Sequence, residues 1–193
     1  MKSQKLHLFY APVYVRELEG EELDRVQAQI KQALDQLEVK DNPWDDEVSS
    51  SFKFDGSNDI VDLGMNHLTD SIFESLRDWC NFIKYPVRPF RLTDSWVNIY
   101  EPKNFMYDHV HPERAISGCY YYQADGDEGN LTFKSPNPVD HLRLWPADLL
   151  PQRQSHHIQP KTGTLIMFPS WLTHKVGVNR TDKQRVSIAF NLA

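Results

Sequence analysis

Two histidines, His109 and His111, stand two residues apart in the run Asp108-His109-Val110-His111-Pro112. In an extended segment that spacing turns both imidazoles to one face. Two neutral nitrogen donors on one face make most of a transition-metal site and leave it short of a third ligand. His174 is the best-placed third donor: it follows the apolar run of residues 163–168 and a turn, which puts it at the rim of a β structure. Eleven residues later comes Arg185, with Ser187 two further on. Same-face spacing lets this second pair grip one carboxylate, the guanidinium by a bidentate charge-assisted bond and the hydroxyl by a supporting one.

The elements that must position these side chains follow from periodicity. Residues 5–18 read as a strand interrupted by Pro12, placed at a sheet edge because proline cannot donate to a ladder. Residues 21–39 form a helix, with Leu23, Val26, Ile30, Leu34 and Leu37 on one stripe. A second amphipathic helix spans 66–84 through Leu68, Ile72, Leu76, Trp79 and Ile83. Between them, residues 40–60 are polar and turn-rich, and read as a solvated connection. Asp41, Asp45, Asp46 and Glu47 lack the alternating spacing and central glycine of a calcium loop. Pro86 and Pro89 then end helix formation. Short β segments follow at 95–100, 116–123, 130–134, 156–159, 164–168, 173–178 and 185–192, separated by turns. A proline-rich loop over 135–155 carries Arg143, Trp145 and Arg153 and has the length of a lid or binding element. Two helices followed by about seven strands predict a mainly β fold, a jelly roll with an α layer on one face.

The chain has 193 residues, enough for one domain with a substantial core. Residues 1–89 read as its helical and edge-strand support, and 90–193 as the part that carries the chemistry. A net charge of −6 gives no indication of nucleic acid or anionic membrane as a partner. No apolar run reaches the length of a membrane span, and the first ten residues lack a signal-peptide core. With no export signal, Cys80 and Cys119 read as reduced thiols, which points to the cytoplasm. A homodimer is left open.

Taken in order, the second half resembles the iron(II)- and 2-oxoglutarate-dependent oxygenases, whose core is a double-stranded β-helix of the jelly-roll, cupin-like kind. Their pattern is His-x-Asp/Glu, a distal His, then Arg about ten residues on, often as Arg-x-Ser. Here Asn98-Ile99-Tyr100 precedes His109-Val110-His111 at the spacing of the nucleic-acid demethylase branch. Ser117-Gly118-Cys119-Tyr120-Tyr121 resembles the strand on which the prolyl hydroxylases carry a tyrosine against 2-oxoglutarate. The nearest likeness is to 2-oxoglutarate oxygenases of marine bacteria and phages. Their motifs are matched by His109 to Pro112, Ser117 to Tyr121, Gly129 to Phe133, Phe168 to His174 and Arg185 to Asn191. The resemblance implies iron(II) on His109, His111 and His174. It implies 2-oxoglutarate on Arg185, Ser187 and Tyr121, with Asn98 and Tyr100 as further contacts. Asn191 either bonds a carboxylate or satisfies backbone groups. It also implies dioxygen as co-substrate, succinate and carbon dioxide as products, and an oxidised substrate that the sequence does not name.

The departure from the family pattern is His111, which stands where an acid is expected. Three imidazoles leave the full charge on the metal, whereas one carboxylate would lower it, and net charge tunes a metal centre. Asp108 faces away from His109 in an extended segment. The open alternatives are His111 as ligand, His111 as outer partner of another ligand, or Glu113 or water in the acid position. Two rival functions follow. A three-His, cupin-type iron dioxygenase would work without 2-oxoglutarate, against which the Arg185–Ser187 pair argues. A non-enzymatic jelly-roll binding or structural protein would carry no stoichiometric metal.

Overall fold

A computed structural model describes residues 11–37, 40–42, 45–53, 56–86, 89–137 and 155–193. In order, the elements are β1 (Tyr14–Glu17), α1 (Gly20–Leu34), β2 (Lys40–Asn42), β3 (Asp45–Ser50), α2 (Asp59–Asp62), α3 (Asn66–Phe82), β4 (Leu92–Tyr100) and β5 (Met106–His109). These are followed by β6 (Ile116–Gln123), β7 (Leu131–Lys134), β8 (Ser155–Ile158), β9 (Thr164–Pro169), β10 (His174–Val176) and β11 (Arg185–Leu192). Two antiparallel sheets face each other as a double-stranded β-helix. The larger has the order β1-β9-β6-β11-β4-β3-β2, the smaller β5-β10-β7-β8.

Strand alternation gives the large sheet two different faces. On β11, Val186, Ile188, Phe190 and Leu192 point to the outer face and join one hydrophobic cluster. That cluster also holds Val26, Ile30 and Ala33 of α1 and Leu68, Ile72, Leu76 and Trp79 of α3. The two helices thus bury their apolar stripes against the outer face of the sheet, as their spacing predicts. Leu23, Leu34, Leu37 and Ile83 pack at the margin of the same cluster. The inner face meets the small sheet through a second cluster that includes Leu131, Phe133, Ile166, Phe168 and Leu172. Arg185, Ser187, Ala189 and Asn191, the other half of β11, therefore face the space between the sheets.

The expected edge strand at Pro12 is β1, which pairs only with β9 among the described residues. Residues 5–10 of that expected strand, and 138–154 of the expected loop with His141, Arg143, Trp145 and Arg153, lie outside the described residues. The solvated connection expected over residues 40–60 needs correction. Its first half is the hairpin β2–β3, whose second strand pairs with β4 through Ser49↔Ile99 and Ser50↔Asn98. Val48 is fully buried there, and Ser50 Oγ donates to Asn98 Oδ1 at 2.8 Å. A run of serines and acids hides a strand because its ladder pairing and hydroxyl bonds do not require an apolar alternation. The turn around 57–62 is likewise anchored: Asp59 is buried against Ser51 Oγ, and burial raises its carboxyl pKa.

Candidate metal centre and carboxylate pocket

β5 and β10 are neighbours in the small sheet, and their register sets His174 directly opposite His109. His111 lies just past the end of β5, where its backbone N–H donates to Ser170 O at 3.0 Å in the turn between β9 and β10. Three imidazoles are thereby brought together: one ring nitrogen from each of His109, His111 and His174 lies within 4.8 Å of the other two. Ring centroids are 4.2 Å apart for His109–His174, 5.3 Å for His109–His111 and 5.2 Å for His111–His174.

Each ring is held by its Nδ1. That of His109 lies 2.8 Å from Tyr107 O, that of His174 2.9 Å from Leu172 O, and that of His111 2.8 Å from Asn191 Oδ1. All three partners are oxygens that accept, so all three rings carry their proton on Nδ1 and keep a lone pair on Nε2. Burial lowers the pKa of each, to about 4 for His111 and about 2 for His174, which preserves the neutral donors. A cluster of uncharged nitrogen donors, each braced by an acceptor at its far nitrogen, fits a transition-metal ion. No carboxylate joins the cluster among the described residues. Asp108, exposed at the cavity mouth, pairs with Lys134 Nζ at 2.7 Å, and Glu113 is exposed and outside the cavity lining.

Behind the imidazoles lies a cavity of about 560 Å³ between the sheets. Its floor is three adjacent strands in register: Ser187 opposite Asn98 and Tyr121, Ala189 opposite Trp96 and Cys119, Asn191 opposite Asp94 and Ser117. At one end of this floor is Arg185, opposite Tyr100 and 1% exposed. Its Nη1 donates to Glu128 O at 2.9 Å and Gly129 O at 2.8 Å, and its guanidinium carbon sits 3.9 Å over the Tyr100 ring. Its buried Nε has no hydrogen-bond partner, and no acidic side chain forms an ion pair with it among the described residues. A buried cation without a counter-charge costs several kcal/mol, about 3–5 when a pair is broken. Arg185 therefore fits an incoming carboxylate. Tyr121 is buried beside it, and burial drives its phenol pKa well above the usual value, so it stands there as a neutral hydroxyl. Asn98, Tyr100, Tyr121, Arg185 and Ser187 all line the same cavity.

Asn191 lies at the opposite end of β11 from Arg185, engaged with His111, Ser117 and Asp94. Asp94, Ser117 and the peptide carbonyls of Glu128 and Gly129 are site elements that motif reading alone passes over. Asp94 shares the even-numbered face of β4 with Asn98 and Tyr100, which is the signal that places it. His156 and His157 are exposed and outside the cavity lining.

No curated protein matches the chain significantly. Similar solved structures include a 2OG-Fe(II) oxygenase family oxidoreductase from Burkholderia pseudomallei, at 14% identity and TM-score 0.64 over 92% of each chain. HygX from Streptomyces hygroscopicus, crystallised with nickel and 2-oxoglutarate, matches at 10% identity and TM-score 0.62 over 95% of this chain and 83% of its own. A Pseudomonas putida prolyl-4-hydroxylase matches at 14% and TM-score 0.61 over 94% and 92%. At these identities the likeness is one of fold. The family described as "Putative 2OG-Fe(II) oxygenase" matches residues 94–191, just over half of the chain, and both ends of that match, Asp94 and Asn191, line the cavity. The chain belongs to the 2OG-Fe(II) oxygenases.

Proposed function

We propose that His109, His111 and His174 hold iron(II) through Nε2, and that Arg185, Ser187 and Tyr121 hold the far carboxylate of 2-oxoglutarate. When bound, the metal and its co-substrate supply the oxidising power: dioxygen is consumed, 2-oxoglutarate is decarboxylated to succinate and carbon dioxide, and the substrate receives an oxygen atom. The chain's own residues position and exclude water. Arg185 supplies the fixed positive charge, Tyr100 and the two peptide carbonyls immobilise it, and the neutral Tyr121 hydroxyl, hydrogen-bonded to Cys119, keeps a proton it can turn toward a carboxylate. Asn98, steadied by Ser50, stands beside Ser187 on the cavity floor. Phe52, Trp96, Met106 and Tyr107 form an apolar wall, suited to a neutral part of the substrate. Residues 90–193 carry this machinery and the first 89 back it, with Phe52 as a contribution to the cavity.

The observation that carries the reading is the coexistence, in one cavity, of three inward lone pairs and a buried guanidinium that lacks a counter-charge among the described residues. Cys80 and Cys119 are unpaired, which supports a reducing compartment and a cytoplasmic setting. Among the described residues no helix is long and apolar enough to cross a membrane. Succinate formation from 2-oxoglutarate, measured with and without iron(II), tests the proposal. The expected result is iron-dependent turnover in the wild type and a fall of about thirtyfold or more in Arg185→Ala, the loss of a buried charged hydrogen-bonding partner. No iron-dependent succinate, together with no heat of 2-oxoglutarate binding to the metal-loaded protein, contradicts it. The three-imidazole donor set also suits a dioxygenase that needs no 2-oxoglutarate. Oxygen consumption independent of 2-oxoglutarate would favour that reading.

A further inference from the structure

The three imidazoles are not braced alike. His109 and His174 lean on peptide carbonyls, which cannot turn round, whereas His111 leans on a side-chain amide, which can. If Asn191 presented its NH₂ group to His111, the ring would accept at Nδ1 and carry its proton on Nε2, where the metal must bind. Something has to fix the amide.

We propose that Asp94 is that element: a positioning carboxylate that acts through Asn191 to hold His111 in its metal-binding tautomer. A carboxylate only accepts, so contact with Asp94 obliges Asn191 to turn Nδ2 toward it and Oδ1 toward His111. The β4–β11 register sets the two residues directly opposite, and Arg114 Nε holds the other Asp94 oxygen at 2.6 Å. Ser117, opposite Asn191 on β6, donates to the same Oδ1 at 2.7 Å and is itself tied to Ser170 Oγ at 2.8 Å. Oδ1 is thus bound by two donors and Nδ2 by an anion; the serine and the imidazole could adapt to a flipped amide, but the flip would set Oδ1 against the Asp94 carboxylate, where neither oxygen carries a proton. The acid absent from the ligand set reappears two hydrogen bonds away, behind the imidazole that replaces it. Its charge orients that ligand without entering the cluster.

The inference rests on the three-imidazole reading of the site, and its test separates the two. Apo full-length protein is labelled with ¹⁵N at histidine, and NMR identifies which nitrogen of His111 carries the proton; nickel(II) affinity is then measured by calorimetry. Asn191→Leu and Asp94→Leu should each abolish the exclusive Nδ1–H form of His111 and weaken nickel binding by about ten- to a hundredfold. Arg114→Gln should change affinity by less than about threefold, since Asp94 keeps its contact with Asn191. The exchange Asp94→Asn with Asn191→Asp keeps an acceptor at His111 and a donor behind it. It should retain the tautomer and bring affinity back to within about threefold of wild type. Unchanged tautomer and affinity in both leucine variants overturn the proposal. Should those variants not fold, a folded exchange variant that has lost the tautomer overturns it equally, and one that keeps it supports it. A wild type that binds no nickel removes the metal reading alone, because the tautomer measurement needs no metal.

Discussion

At the scale of single residues, the site is a set of groups kept in states that water would not favour. Burial holds the three histidines neutral, and the same burial couples them to stability. Their folded pKa values lie below the ordinary 6.5, so in acid the unfolded chain binds protons that the folded chain refuses. The stability they contribute is therefore complete above about pH 6.5 and is lost as pH falls through about 4 for His111, and lower still for His174. Melting temperatures of the metal-free protein should decline between about pH 7 and about pH 5, and less steeply in His174→Gln, which has one such group fewer. Equal slopes in the two proteins would show that His174 is not held neutral by the fold. Arg185 is the converse case, a buried guanidinium with no ion-pair partner among the described residues.

At the scale of elements, the chemistry depends on register. β11 delivers Arg185 and Ser187 to one end of the cavity and Asn191 to the other, and its alternate residues belong to the core beneath the helices. A slip of one residue would exchange the two sets. Two glycines mark where backbones must approach closely. A Cβ at Gly118 would lie 2.6 Å from Ile166 O, on the face that packs Phe190. Gly129 sits at φ +91°, and a Cβ there would lie 2.7 Å from the Gly177 carbonyl carbon. Because Gly129 O and Glu128 O seat Arg185, Gly129→Ala should shift that seat. We expect 2-oxoglutarate affinity to fall about tenfold, a loss near 1.4 kcal/mol, with nickel affinity within about threefold of wild type. Calorimetry on the metal-loaded variant checks this, and undiminished 2-oxoglutarate binding would contradict it.

The elements also show what the sequence discloses. The two helices and β11 are legible because their apolar residues recur at periods of 3.6 and 2, and β6 because it concentrates aromatic and β-branched residues between turns. His109, His111, His174, Arg185 and Tyr121 are legible because ordered motifs carry them. β2, β3 and β5 are not, since segments of serines and acids, or of only three or four residues, leave no apolar alternation to read. Nor is Asp94: its role exists only once β4 and β11 are paired, and no spacing along one chain segment encodes a contact across two strands.

At the scale of the whole molecule, the double-stranded β-helix serves as a clamp. The small sheet sets His109 opposite His174, the large sheet lays down Arg185, Ser187 and Tyr121, and α1 and α3 pack on the large sheet from outside. The two halves of this clamp should meet on one metal and one co-substrate. An anaerobic crystal structure of the protein with iron(II) and 2-oxoglutarate tests it most directly. The expected result is a single metal peak at bonding distance, about 2.0–2.2 Å, from Nε2 of His109, His111 and His174, with the far carboxylate of 2-oxoglutarate on the Arg185 guanidinium. A metal bound elsewhere, or 2-oxoglutarate with no contact to Arg185, would contradict it.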